Sequence, residues 1–171
     1  MAAGPTYEII ESKIFSSAAI GYTFTSIPQT YTDLQIVWSA KETQTAGDAR
    51  MQFNGDTTNG NYIWSRFLMA DGVPETYSYT VGNSTDATWI SQNSLNVNYY
   101  QAGVIDIFNY TNTSMFKNVF AKIGSGYANQ TVQCFMNCWK STAAITSLNI
   151  FDTNYNFAIG TTITLYGIKA A

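Results

Sequence analysis

Glu8, Glu11, Asp33, Asp106 and Asp152 are the residues whose type could support acid–base or nucleophilic chemistry in this chain. A pair of such carboxylates held about 5 to 9.5 Å apart would suit glycoside hydrolysis. Nothing in the spacing brings two of them to that separation. Glu8 and Glu11 stand three apart, which on a strand of period two sends them to opposite faces. The chain has no histidine, so Ser-His-Asp and Cys-His catalysis and histidine-held metals are excluded. Cys134 and Cys138 lie in QTVQCFMNCWK, where Thr131, Val132, Phe135 and Trp139 favour a strand. On a strand the two thiols fall roughly 13 Å apart on one face, beyond the reach of a disulfide. They read as small, buried apolar groups, since a zinc site has no other ligands to draw on. Asp56, Asn59 and Asn61 offer loop oxygens to calcium but lack the spacing and closing Glu of an EF-hand, and they read as turn formers. Asn83, Asn109, Asn112 and Asn129 stand in glycosylation sequons, as chance supplies in a chain this rich in Asn and Thr. The expectation is a protein that is not an enzyme and carries neither cofactor nor metal.

A second group offers contact rather than catalysis. Tyr77, Tyr79, Trp89, Tyr99 and Tyr100 crowd into the least regular part of the sequence, residues 70–100. Aromatic rings with a polar tip suit a partner or ligand surface, and they also serve simple packing on edge strands. Pro5, beside Gly4, sits in a short arm over residues 1–6 that a neighbouring subunit could order.

The elements that must carry these groups are strands. In IPQTYTDLQIVWSA, residues 27–40, Pro28 makes a break and Leu34, Ile36, Trp38 and Ala40 then recur at every second position. That pattern buries one face of a strand. Similar runs stand at 7–14, 20–24, 50–54, 62–69, 77–81, 87–91, 102–108, 115–123, 131–140, 145–151 and 161–169. Residues 42–48 read as a polar loop turning at Gly47, and 53–62 as a sharp bend rich in Asn and Gly. Residues 102–108 are almost continuously apolar, as in a strand covered on both faces. Ten to twelve short strands without an amphipathic helix predict an all-β fold, a single-domain antiparallel β-sandwich of jelly-roll type over residues 7–171.

Composition narrows the partners. At 171 residues the chain is long enough to bury on the order of 70% of its unfolded surface. Charged residues make up only 11%, against roughly 25% in an ordinary domain. A surface of Thr, Asn, Ser and Gln can be covered by a neighbour without stranding buried charge. The net charge is −3 and the eight Lys and Arg are scattered singly, which argues against nucleic acid. Neither a secretory signal nor a run long enough for a membrane helix is apparent, so a soluble protein made in a cytoplasm is expected.

An ordered set of segments carries a resemblance. YEII at 7–10, SIPQTYTDL at 26–34, RMQFNGDT at 50–57 with NY at 61–62, IDIFNY at 105–110, STAAITSLNI at 141–150 and GTTITLYGIK at 160–169 resemble small β-rich structural proteins of tailed bacteriophages, cyanophages among them. The match spans nearly the whole chain and is poor over 70–100. It implies a virion protein made in a bacterial host cytoplasm, with no catalytic motif to carry over. The leading expectation is a capsid decoration (cement) protein that sits as a homotrimer and binds the major capsid protein as well as itself. The alternative is a tail fibre or spike domain that recognises a host surface glycan.

Overall fold

The computed structural model describes residues 6–45, 47–70, 73–79, 87–125 and 131–169, with the backbone alone at 70, 73–79, 93 and 94. Twelve strands form: β1 (Tyr7–Ile14), β2 (Gly21–Phe24), β3 (Asp33–Ala40), β4 (Gly47–Phe53), β5 (Tyr62–Ala70), β6 (Val73–Tyr79), β7 (Thr88–Leu95), β8 (Gln101–Phe108), β9 (Lys117–Ser125), β10 (Thr131–Trp139), β11 (Leu148–Asp152) and β12 (Thr162–Ile168). No helix forms among the described residues.

The strands make two antiparallel sheets that pack face to face. One runs β1-β12-β3-β8-β9-β10-β5-β6 and the other β2-β11-β4-β7. Eight strands wind as a jelly roll, because β1-β12-β3-β8 in the first sheet answers β2-β11-β4-β7 in the second. The consecutive pairs β1/β2, β3/β4, β7/β8 and β11/β12 each cross between sheets, as the double Greek key requires. The remaining strands are two inserted antiparallel pairs, β5 with β6 and β9 with β10, and both widen the first sheet only.

Alternation decides which side chains enter the core. On β3, Leu34, Ile36, Trp38 and Ala40 are buried while the residues between them are not, as the pattern at 27–40 predicted. Trp38 meets Phe157 edge-on at 6.4 Å, and Phe157 meets Phe15 at 5.6 Å. Farther along the sheet Phe53, Tyr62 and Trp139 stack at 5.4 to 6.5 Å. The proline turn before β3 is held from across the molecule, where the buried Tyr110 hydroxyl donates to the Pro28 carbonyl. Asn54, Gly55 and Gly60 take positive φ in the bend at 53–62, which is the conformation that favours these residue types there.

Three expectations need correction. Gly47 is the first residue of β4 rather than a turn residue. Its missing side chain makes room for the Glu42 carboxyl, which would lie 1.4 Å from an added Cβ. Glu8 and Glu11 share a face, because the register slips between Ile9 and Glu11. The bulge sets Glu8 opposite Gly167 and Glu11 opposite Leu165, both inward positions of β12. Each carboxylate is taken up by a tyrosine hydroxyl, Glu8 by Tyr31 at 2.9 Å and Glu11 by Tyr22. Lastly, β8 is not covered on both faces, since Ala102 and Phe108 are exposed.

Candidate partner surface

The uncovered side of the eight-stranded sheet is the most distinctive surface of the molecule. On β10 the inward residues are Gln133, Phe135, Asn137 and Trp139, so Val132, Cys134, Met136 and Cys138 point out. Pairing carries this apolar row sideways. Met136 lies opposite Phe120 of β9 and Ser65 of β5, Cys134 opposite Phe67, Cys138 opposite Ile63, and Val132 opposite Met69. Met136 is 66% exposed, Val132 50%, Phe108 43% and Phe67 41%. Ile63, Ser65, Phe108, Phe120, Met136 and Cys138 line a shallow depression of about 310 Å³ in it. The thiols therefore belong to this outer face, half-buried and unpaired, instead of filling the core as the sequence suggested. Burial in that apolar setting pushes the Cys138 thiol up, against the opposing pull of Lys140.

Charge on this face is sparse. Along β3, β8, β9, β10 and β5 the outward charges among the described residues are Asp33, Asp106 and Lys122. Lys122 Nζ stands 3.0 Å from Asp106 Oδ2, and Gln35 Nε2 donates to Asp106 Oδ1 at 2.7 Å. Asp33 accepts the Asn109 N–H at 2.7 Å. A partner covering this face meets few charges and apolar or small polar side chains.

Of the aromatic residues singled out from the sequence, Trp89, Tyr99 and Tyr100 have described side chains. Trp89 is 8% exposed, packed on Trp64 at 5.7 Å and capped by the Arg50 guanidinium at 4.1 Å. Tyr99 and Tyr100 are exposed in the connection from β7 to β8, and the Lys41 ammonium stands 5.2 Å from the Tyr100 ring. Tyr77 and Tyr79 lie on β6 with backbones opposite Arg66 and Trp64, their side chains outside the described residues. Pro5 also lies outside the described residues.

Elsewhere the polar groups are structural. Asp56 accepts from Thr58 N–H, Asn61 Nδ2 and Trp139 Nε1 at 2.7 to 2.9 Å. Burial opposes its charge, but those donors prevail and hold it down at about 2, so the carboxylate fixes its loop. Glu42 and Asp152 form a buried acid pair, 1% and 0% exposed. Burial and then the neighbouring Asp152 carboxyl push Glu42 up to about 10, leaving it a neutral acid. No group of three or more Cys, Asp or Glu suited to a metal is found among the described residues, and no described helix could cross a membrane.

The outer face was missed because its signal points two ways. Apolar residues at both parities, as in β8 and β10, describe a strand sandwiched on both sides and equally a strand with one side awaiting a partner. Fold and surface together define a jelly-roll β-sandwich with a broad, sparsely charged apolar outer face. Compared with known proteins, the sequence matches no family model and no curated protein.

Proposed function

We propose that this chain is a structural protein of a phage particle, a decoration (cement) protein that stabilises the head by bridging capsid subunits. The observation that carries this reading is the uncovered outer face of the eight-stranded sheet. An apolar surface of this breadth is rare on a free monomer and suits permanent burial in an assembly. The low overall charge of the chain lets further surfaces be covered at little desolvation cost. Sheet edges at β1 and β2 supply backbone donors and acceptors for contact with the shell. The segments that resemble phage structural proteins supply the identity of the particle. Purified particles carrying hundreds of copies, and particles lacking the protein that burst on heating yet still adsorb to cells, are the expected results. Lost adsorption with intact heads would overturn the reading.

Tyr99 and Tyr100, adjacent and exposed, favour a second reading, in which the chain is the glycan-recognising domain of a tail fibre. Stacking of sugar rings on such a pair is a common form of contact. Binding on a glycan array that is lost in Tyr99→Ala and Tyr100→Ala would support it, and an array without signal would remove it.

A further inference from the structure

We infer that the outer face of the eight-stranded sheet is covered by a second copy of this chain. The inference rests on the assembly reading above and names the partner that the face takes. Area, charge and the placement of the apolar residues support it together.

Eight strands about 4.8 Å apart and about 22 Å long outline roughly 800 Å², close to the ~800 Å² per partner that a stable protein–protein contact buries. Within it, the apolar residues concentrate on β8, β9, β10 and β5, where Phe108, Phe120, Val132, Met136, Phe67 and Met69 adjoin one another through the register. The other half, on β3, β12 and β1, presents Gln35, Ser39, Thr162, Thr164 and Tyr166 together with the exposed Val37, Tyr7, Ile9 and Ile14. Apolar residues interspersed with neutral polar ones are the composition of a protein interface. Three of the four strands under the apolar half, β9, β10 and β5, come from the inserted pairs rather than from the jelly roll itself. The insertions thus widen the sheet and supply the contact in one step.

Charge favours a copy of the same chain over an oppositely charged partner. A face whose Lys122 is matched by its own Asp106 at 3.0 Å keeps one further charge, Asp33 at the start of β3. A single charge per face repels a copy of itself weakly and offers a basic partner little electrostatic advantage. A second copy also brings the same flat β-surface, and two sheets pack well face to face when both are apolar.

The test is the mass of the isolated full chain in solution, read by light scattering after size-exclusion chromatography. The expected result is at least twice the single-chain mass of 18.9 kDa. Met136→Lys and Phe67→Glu place a charge on exposed positions of the face. They should raise the dissociation constant by at least about a hundredfold and return the single-chain mass with the β-type circular dichroism unchanged. Ile159→Lys, exposed but outside the face, should stay assembled. A wild-type chain that remains single at high concentration overturns the inference, and so does a Met136→Lys protein that stays assembled. A single chain that is nevertheless abundant on particles sinks this inference and leaves the cement reading standing. An assembled chain that is absent from particles does the reverse.

Discussion

Trp38 lies at the centre of the inner face, 1% exposed, between the β3 backbone and Phe157. Trp38→Ala removes a large ring from a close-packed interior and should cost about 3 to 5 kcal/mol. A chemical denaturation midpoint equal to that of the wild type would contradict its core placement. Such a position is legible in a sequence because one apolar set at period two has a single explanation. Glu42 is the opposite case. It stands in the polar run ETQTAGD, and nothing local signals burial. Its backbone N–H is tied to the Asn96 carbonyl at 3.1 Å, and its carboxyl is packed against Gly47. Its folded value of about 10 lies above the ordinary 4.5. The stability it lends is therefore full below pH 4.5 and drains away as pH rises toward 10, by at most about 1.4 kcal/mol per unit. Melting temperatures should fall from pH 5 to pH 9 more steeply for the wild type than for Glu42→Gln, which stays uncharged throughout. Parallel curves for the two proteins would show that Glu42 is not a buried neutral acid.

At the scale of elements, the strands could be read along the chain but their neighbours could not. β1 pairs with β12 across the whole length, Tyr7 opposite Ile168, and pairing at that separation leaves no local trace. The bulge after Ile9 is equally silent in EIIES, yet it reverses the side on which Glu11 stands. Lys117 shows how an element's entry is fixed by a residue that looks like one of several scattered lysines. It is fully buried, and its ammonium donates to the carbonyls of Asn112, Met115 and Thr142. It therefore ties the turn entering β9 to the segment leaving β10. Burial lowers its affinity for the proton, while the three carbonyl acceptors suit an ammonium, which has three donors. Lys117→Ala strips these carbonyls of their donor inside the fold and should cost about 2 to 4 kcal/mol. Hydrogen exchange should rise first at the adjoining ends of β9 and β10. Uniform exchange at the wild-type level in those strands would mean that the lysine holds nothing.

For the molecule as a whole, stability and association are the same question if the outer face is covered by another copy. A jelly roll of this size has core enough to fold alone, since both sheets contribute complete inner rows. What the single chain does not provide is cover for Val132, Met136, Phe67 and Phe108. Association then stabilises the folded state by mass action, and the melting temperature depends on concentration. For a dimer, each tenfold rise in concentration contributes about 0.7 kcal/mol per chain, which for a domain of this length amounts to about 2 °C. Wild-type melts spanning three decades of concentration should therefore climb by about 6 °C. Those of Met136→Lys should superimpose, at or below the lowest wild-type value. The core residues are untouched in that variant, so a lower but concentration-independent transition isolates the contribution of the face from that of the fold. A wild-type transition that holds still over the same range would mean that the sandwich carries its apolar face uncovered and stands by its core alone.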